Sequence, residues 1–172
     1  MVVGFIGAGN MGGAYINALN KELYFYETNK ERIKELEENT LGKGVETLKE
    51  LVEKSDILVL AIKPQILDRV LDDLKELNIK DKVLVTLVVG VKIDYYQKKL
   101  GNIKIVRVMP NTPVQVKMGV AGATFVGLNK EEKSEVLDML ESCGIVLDCD
   151  ESKLDAITAI SGSGPAYVFL LI

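Results

Sequence analysis

Glycines are the residues in this sequence whose types and spacing point most directly to chemistry. Gly7-Ala8-Gly9-Asn10-Met11-Gly12 comes directly after the apolar run Val2–Ile6 and opens a helical pattern. A GxGxxG at a strand-to-helix junction is the fingerprint of a dinucleotide-phosphate loop. Gly7 permits the tight turn, Gly9 lets the backbone approach a pyrophosphate, and Gly12 lets helix and sheet pack closely. Free N–H groups at the helix start then face the anion. Gly7, Ala8, Gly9, Asn10, Met11 and Gly12 are therefore the candidate pyrophosphate contacts. The bland alternative is a glycine-rich turn in a doubly wound sheet that holds no nucleotide.

The second candidate group closes the next strand. Glu27 lies about 20 residues beyond Gly7, where an acid hydrogen-bonds the ribose hydroxyls of NAD. Thr28, Asn29, Lys30 and Arg32 follow at once, and this set can accept a 2′-phosphate. The carboxylate repels that phosphate while the hydroxyl, amide and cations attract it. NADP(H) is favoured on the cationic pair and NAD(H) stays open; ordinary solvated charges at a helix start are the plain reading of Glu27 and Lys30. Three further stretches fall at strand carboxyl ends, the edge where open α/β sheets bind ligands. They are Ala61-Ile62-Lys63-Pro64-Gln65, Val89-Gly90-Val91 and Met109-Pro110-Asn111-Thr112-Pro113. Lys63 is a candidate catalytic acid, with a solvated or phosphate-facing lysine as the simpler role. The two prolines make the last stretch a stiff, non-helical loop.

The elements that must position these residues alternate in type. Val2–Ile6, Leu23–Glu27, Ile57–Ala61, Lys82–Leu87, Lys104–Met109, Ala121–Val126 and Ile145–Asp148 read as strands. Several are nearly all apolar, as parallel strands covered on both faces are. Arg32–Glu38, Leu48–Lys54, Ile66–Leu77 and Lys130–Glu141 read as amphipathic helices, and Pro64 sits where a helix start tolerates the missing N–H. The alternation predicts an α/β fold, a Rossmann-like doubly wound and mostly parallel sheet over residues 1–150. After Asp150 the pattern changes. Leu154–Ile160 reads as helix, Ser161-Gly162-Ser163-Gly164 breaks it, and Ala166–Ile172 is apolar nearly all round. Such a helix must be buried, by a partner subunit or by further chain.

Composition excludes much else. The 172 residues contain no histidine, which removes Ser-His-Asp and Cys-His nucleophile pairs, the HExxH zinc site and an imidazole base. A net charge of −4 and scattered cations argue against nucleic acid. No apolar run approaches the ~20 residues that span a bilayer, and the strand pattern that starts at Val2, without a charged n-region or cleavage site, leads us to expect no signal peptide. Cys143 and Cys149 fit neither a disulfide framework nor a zinc pattern and read as reduced thiols. A cytoplasmic enzyme or binding protein with no metal site is the expectation.

Four motifs occur in order. They are Gly4-Phe5-Ile6-Gly7-Ala8-Gly9-Asn10-Met11-Gly12, Ala61-Ile62-Lys63-Pro64-Gln65, Arg107-Val108-Met109-Pro110-Asn111-Thr112-Pro113 and Ile160-Ser161-Gly162-Ser163-Gly164-Pro165-Ala166-Tyr167. The set resembles the pyrroline-5-carboxylate reductases, enzymes of proline biosynthesis, over essentially the whole chain. The first motif is shared with many hydroxyacid dehydrogenases; the third and fourth are far more specific. The resemblance implies reduction of Δ1-pyrroline-5-carboxylate, a cyclic imino acid, to L-proline by hydride from NADPH or NADH. It implies that Gly7 to Gly12 hold the pyrophosphate, with Ala61, Ile62, Lys63 and Pro64 beside the cofactor ribose and phosphates. It places Val89 and Gly90 against the cofactor and Met109, Pro110, Asn111 and Thr112 around the nicotinamide. Ser161 to Gly164 would close the site, with Ser163 a candidate catalytic residue beside Lys63. An imine nitrogen arrives protonated, so the missing histidine is no obstacle.

Three departures from the family pattern stand out. Val88-Val89 precedes Gly90 where the family usually has two alanines, and the stretch between the glycine loop and Glu27 is short. The family also continues into an all-helical domain that interlocks with a second subunit, of which residues 151–172 would be the start. A homodimer or higher homo-oligomer is implied for the complete form. Two other readings compete. A hydroxyacid dehydrogenase of the 6-phosphogluconate type needs a catalytic lysine after the sheet domain, for which Lys153 is the candidate. A non-catalytic nucleotide-binding reductase paralogue would act through a partner.

Overall fold

The computed structural model describes residues 1–162 and 164–171. Its centre is an eight-stranded sheet in the order β3-β2-β1-β4-β5-β6-β7-β8. The strands are β1 (Val3–Ile6), β2 (Leu23–Tyr26), β3 (Gly42–Gly44), β4 (Ile57–Leu60), β5 (Val83–Thr86), β6 (Lys104–Met109), β7 (Gly119–Val126) and β8 (Gly144–Asp148). β1, β4 and β5 are buried at every position, which is why their sequences run apolar without alternation. All neighbours pair in parallel except β6 and β7. The link between those two is too short for the crossover of a dozen or more residues that a parallel pair requires, so the chain turns back.

The helices are α1 (Asn10–Ala18), α2 (Lys30–Asn39), α3 (Leu48–Lys54), α4 (Leu67–Glu76), α5 (Ile93–Leu100), α6 (Lys130–Glu141), α7 (Glu151–Ile157) and α8 (Gly164–Leu171). One face of the sheet packs Val3, Phe5, Val59, Val85 and Val106 against Tyr15, Ile16, Leu36, Val136 and Met139 of α1, α2 and α6. The other packs Leu58, Leu60, Leu84 and Ile105 against Leu51, Leu71, Leu74, Ile93 and Tyr96 of α3, α4 and α5. Local chemistry sets the helix starts. Asn29 caps α2 by accepting from the Glu31 and Arg32 N–H groups, Thr47 caps α3, and Asn129 with Glu132 forms a reciprocal capping box on α6. Each such cap is worth about 1 kcal/mol.

The sequence expectation is met in fold class, in the seven predicted strands and in α3 and α6, whose limits coincide with prediction. It differs in five places, one of them the stretch expected to be a non-helical loop after Met109: Thr112–Val116 form a short 3-10 helix, whose first turn tolerates the missing N–H of Pro113. β3 and α5 are additions. α2 begins at Lys30 because Asn29 is its cap. The helix expected over Leu154–Ile160 is shifted: α7 covers Glu151–Ile157 and residues 158–162 form a wider π-type turn. Ser163 and Ile172 lie outside the described residues. No helix among the described residues is long and apolar enough to cross a membrane.

Candidate dinucleotide-binding site

β1 sits between β2 and β4, so the chain leaves the sheet on opposite sides at the carboxyl ends of β1 and β4. A crevice opens at that switch point, as the topology of open α/β sheets requires. It is a cavity of about 420 Å³ lined by Ile6, Gly7, Gly9, Tyr26, Glu27, Thr28, Ala61, Ile62, Lys63, Ile66 and Val70. The glycines at its base differ in kind. Gly7 has φ +91°, and a Cβ there would stand 2.7 Å from the Ala61 carbonyl oxygen. A Cβ on Gly12 would collide with the Gly7 carbonyl. A Cβ on Gly9 would meet nothing within 4 Å, so space remains beside this glycine for a group that is not protein. Gly9 is the N-cap of α1 and supplies no side-chain cap, and the first turn carries no acidic residue. The first-turn amides are thus left for an incoming anion.

The peptide of Ala8 is held at both ends. Its N–H donates to Glu27 Oε2 at 2.9 Å, and its carbonyl accepts from Arg32 Nε at 2.9 Å. Ala8 itself is fully buried, so its part is to fix the loop, leaving Gly9, Asn10 and Met11 as the more accessible members. Glu27 also accepts the Thr28 N–H at 2.7 Å and the Asn29 N–H at 3.0 Å through Oε1. Burial pushes the Glu27 carboxyl upward, but the hydrogen bonds from Ala8, Asn29 and Thr28 together outweigh it and hold its pKa below the ordinary value. The carboxylate is therefore charged, and it lines the crevice. Arg32 leans over α1 against Gly13 and pairs with Glu35 at 2.7 Å. With Gly9, Asn10, Glu27 and Asn29 it lines a smaller adjoining recess.

Residues 2–90 match the family model described as NADP oxidoreductase, coenzyme F420-dependent, a little over half of the chain. The chain belongs to that family. Along its whole length it is also a relative of the pyrroline-5-carboxylate reductases. The enzyme of that name from Aquifex aeolicus is 38% identical across 100% of this chain, which spans 66% of the relative. A crystal structure of the Plasmodium falciparum pyrroline carboxylate reductase with NADP bound superposes with a TM-score of 0.86 and 34% identity, over 99% of this chain and 66% of that one. The Coxiella burnetii pyrroline-5-carboxylate reductase superposes with a TM-score of 0.91 at 29% identity, over 98% and 66%. The chain thus spans just under two thirds of each of these three relatives.

Within this family member the predicted residues fall into three groups. Gly7, Gly9, Glu27, Thr28, Ala61, Ile62 and Lys63 share the crevice, with Asn10 and Asn29 in the recess beside it. Lys30 is exposed at the start of α2. Pro64 and Gly90 line a different cavity, at the starts of α4 and α5, with Leu67, Asp68, Lys92 and Tyr95; Val89 is 56% exposed. The third stretch differs most from expectation. Met109 and Pro110 are buried, and the Asn111 side chain is already engaged, accepting from the Val120 N–H at 2.9 Å and donating to Ser161 Oγ at 3.0 Å. Thr112 remains exposed. Sequence reasoning missed Tyr26, Ile66 and Val70, apolar walls with no motif to mark them. It also passed over the role of Arg107, although a charged residue inside the apolar run Lys104–Met109 was a legible anomaly. Cys143 is buried, and burial raises its thiol pKa. Lys153 is exposed on α7.

Proposed function

We propose that this chain is the dinucleotide-binding part of a reductase that converts Δ1-pyrroline-5-carboxylate to L-proline with NADP(H), NAD(H) being the weaker donor. The observation that carries this reading is the open side of Gly9 at the switch-point crevice, in a chain related throughout to pyrroline-5-carboxylate reductases. The residues fit such a cofactor. The amides of Gly9, Asn10 and Met11 would hold the diphosphate. Ile6, Tyr26, Ile62, Ile66 and Val70 would take the adenosine, and Thr28, Asn29, Lys30 and Arg32 the 2′-phosphate. When bound, the cofactor supplies a hydride to the imine carbon. The chain's own task is to orient the donor and exclude water, because the imine nitrogen brings its proton with it.

The division into a nucleotide-binding unit over 1–150 and the start of a helical domain over 151–172 belongs to the same proposal. So does a homodimer or larger homo-oligomer. Tyr167, Val168, Phe169 and Leu170 of α8 are between 54% and 84% exposed, an apolar surface of the kind that partners cover. The cytoplasm is the compartment that suits two free cysteines and this cofactor. Cofactor oxidation with Δ1-pyrroline-5-carboxylate, run with NADPH and NADH in parallel and with hydroxyacids as competitors, tests the reading. Turnover of the imine alone supports it; reduction of NADP+ or NAD+ by a hydroxyacid in a parallel assay, with no turnover of the imine, would overturn it. Nothing in the site favours the dehydrogenase or paralogue alternatives.

A further inference from the structure

A polar row crosses the otherwise apolar sheet. Thr86, Arg107 and Thr124 are register partners on β5, β6 and β7, and each reaches a different element. Thr86 Oγ1 is 2.7 Å from the Tyr96 hydroxyl of α5. Thr124 Oγ1 donates to the Cys149 carbonyl just ahead of α7, also at 2.7 Å. Arg107, 1% exposed, donates from Nη1 to Glu151 Oε1 at 3.0 Å and from Nη2 to Asp155 Oδ1 at 3.2 Å. Glu151 and Asp155 stand one turn apart on the same face of α7, so the planar fork of the guanidinium grips the helix at two heights.

Glu151 has a second task. Its Oε1 also accepts the Ile93 N–H at 2.8 Å, the first amide of α5, whose own N-cap residue Lys92 offers no side-chain bond. One buried arginine therefore ties β6 to the starts of both α5 and α7. The fit is steric as well. A Cβ on Gly122 of β7 would stand 2.7 Å from Ile157 and 2.8 Å from Leu154, so α7 lies directly on the strand backbone. α7 leads into residues 158–162, where Ser161 meets Asn111. α5 follows the loop that carries Val89 and Gly90.

Burying a guanidinium is costly, and an apolar side chain of similar volume would stabilise the sheet as well or better. Arg107 Nε moreover has no hydrogen-bond partner among the described residues. What an apolar residue could not supply is direction: a fixed height and roll for α7. We propose that Arg107 is a positioning residue. It sets α7 and the start of α5 so that the 158–162 turn meets the Asn111 loop, and it governs closure of the substrate end of the site while leaving the cofactor crevice at β1, β2 and β4 untouched. The part about substrate rests on the reductase reading; the structural part does not.

The test compares wild type with Arg107→Met, and with Glu151→Gln as a milder second variant should the first fail to fold. Backbone hydrogen exchange is read by segment, alongside NADPH affinity and steady-state rates on the imine. Exchange over residues 151–162 and 93–96 is expected to rise about tenfold or more, with β1, β2 and β4 as protected as in wild type. NADPH affinity should stay within about twofold, while kcat falls about tenfold to a hundredfold with KM for the cofactor unchanged. Unchanged exchange over 151–162, or equal acceleration throughout the sheet, would overturn the proposal. A loss of cofactor affinity matching the loss in kcat would do the same. If wild type binds NADPH but turns over no imine while exchange changes as described, the substrate part of the proposal is dropped and the role of Arg107 in setting α7 and the start of α5 stands.

Discussion

A side chain at Gly9 would project into open space, one at Gly7 would meet the Ala61 carbonyl, and one at Gly12 would collide with the Gly7 carbonyl. The three glycines of one motif therefore separate into two that the fold requires and one, Gly9, whose open side the fold leaves unused. Gly9→Leu should keep the melting temperature within a few degrees and lower NADPH affinity by about a hundredfold or more, because the backbone can no longer approach the diphosphate. Titration of cofactor fluorescence against thermal unfolding of the same sample checks this, and a folded variant with unchanged affinity would remove the diphosphate assignment. Glu27 gives a second prediction. Its folded-state pKa is lowered, so its contribution to stability is complete above the unfolded carboxylate value of about 4.3. That contribution is lost as pH falls through the lower folded value. Glu27→Gln should be less stable than wild type at neutral pH, and the two unfolding curves should converge on the acid side. The variant should also favour NADPH over NADH more than wild type does, since the charge that repels a 2′-phosphate is gone. Parallel stability curves across the acid range would contradict the first part.

The elements differ in how much of their cause is local. α4 carries Leu67, Leu71 and Leu74 on one buried stripe, and that stripe is plain in the sequence because a helix repeats its face every three or four residues. Leu71→Ala, at a fully buried position, should cost about 2–5 kcal/mol in denaturant unfolding. α5 has a comparable stripe in Ile93 and Tyr96 yet no local start signal, because its first amide is satisfied by Glu151, 58 residues away. β3 is Gly42-Lys43-Gly44, which has no apolar pattern; it is a strand only because the open edge of β2 accepts it. Gly122 shows the same long-range dependence. Gly122→Val should destabilise the protein by about 1–3 kcal/mol through overpacking against Leu154 and Ile157. Exchange should loosen first in α7; loosening that begins in β1 would argue against this seat.

For the whole molecule the exposed apolar face of α8 is the dominant feature. Replacing Phe169 and Leu170, 78% and 84% exposed, with aspartate and glutamate should shift sedimentation toward a smaller species and leave the melting of the sheet unchanged. An unaltered distribution would mean that α8 is not the association surface.

The division between sequence and structure follows from the range of the forces involved. Glycine conformational freedom, the unbroken apolar runs of the central strands, the period-3.6 stripes of the helices and the caps at Asn29, Thr47 and Asn129 act within a few residues. The sequence by itself therefore determined the glycine loop, the α/β class and the family resemblance. Only the tertiary structure decided that Ala8 is clamped between Glu27 and Arg32, that Asn111 is spent on Ser161, and that Arg107 joins three elements. Those contacts join residues between 19 and 58 apart, and a buried charge declares its partners only when the chain has brought them within reach.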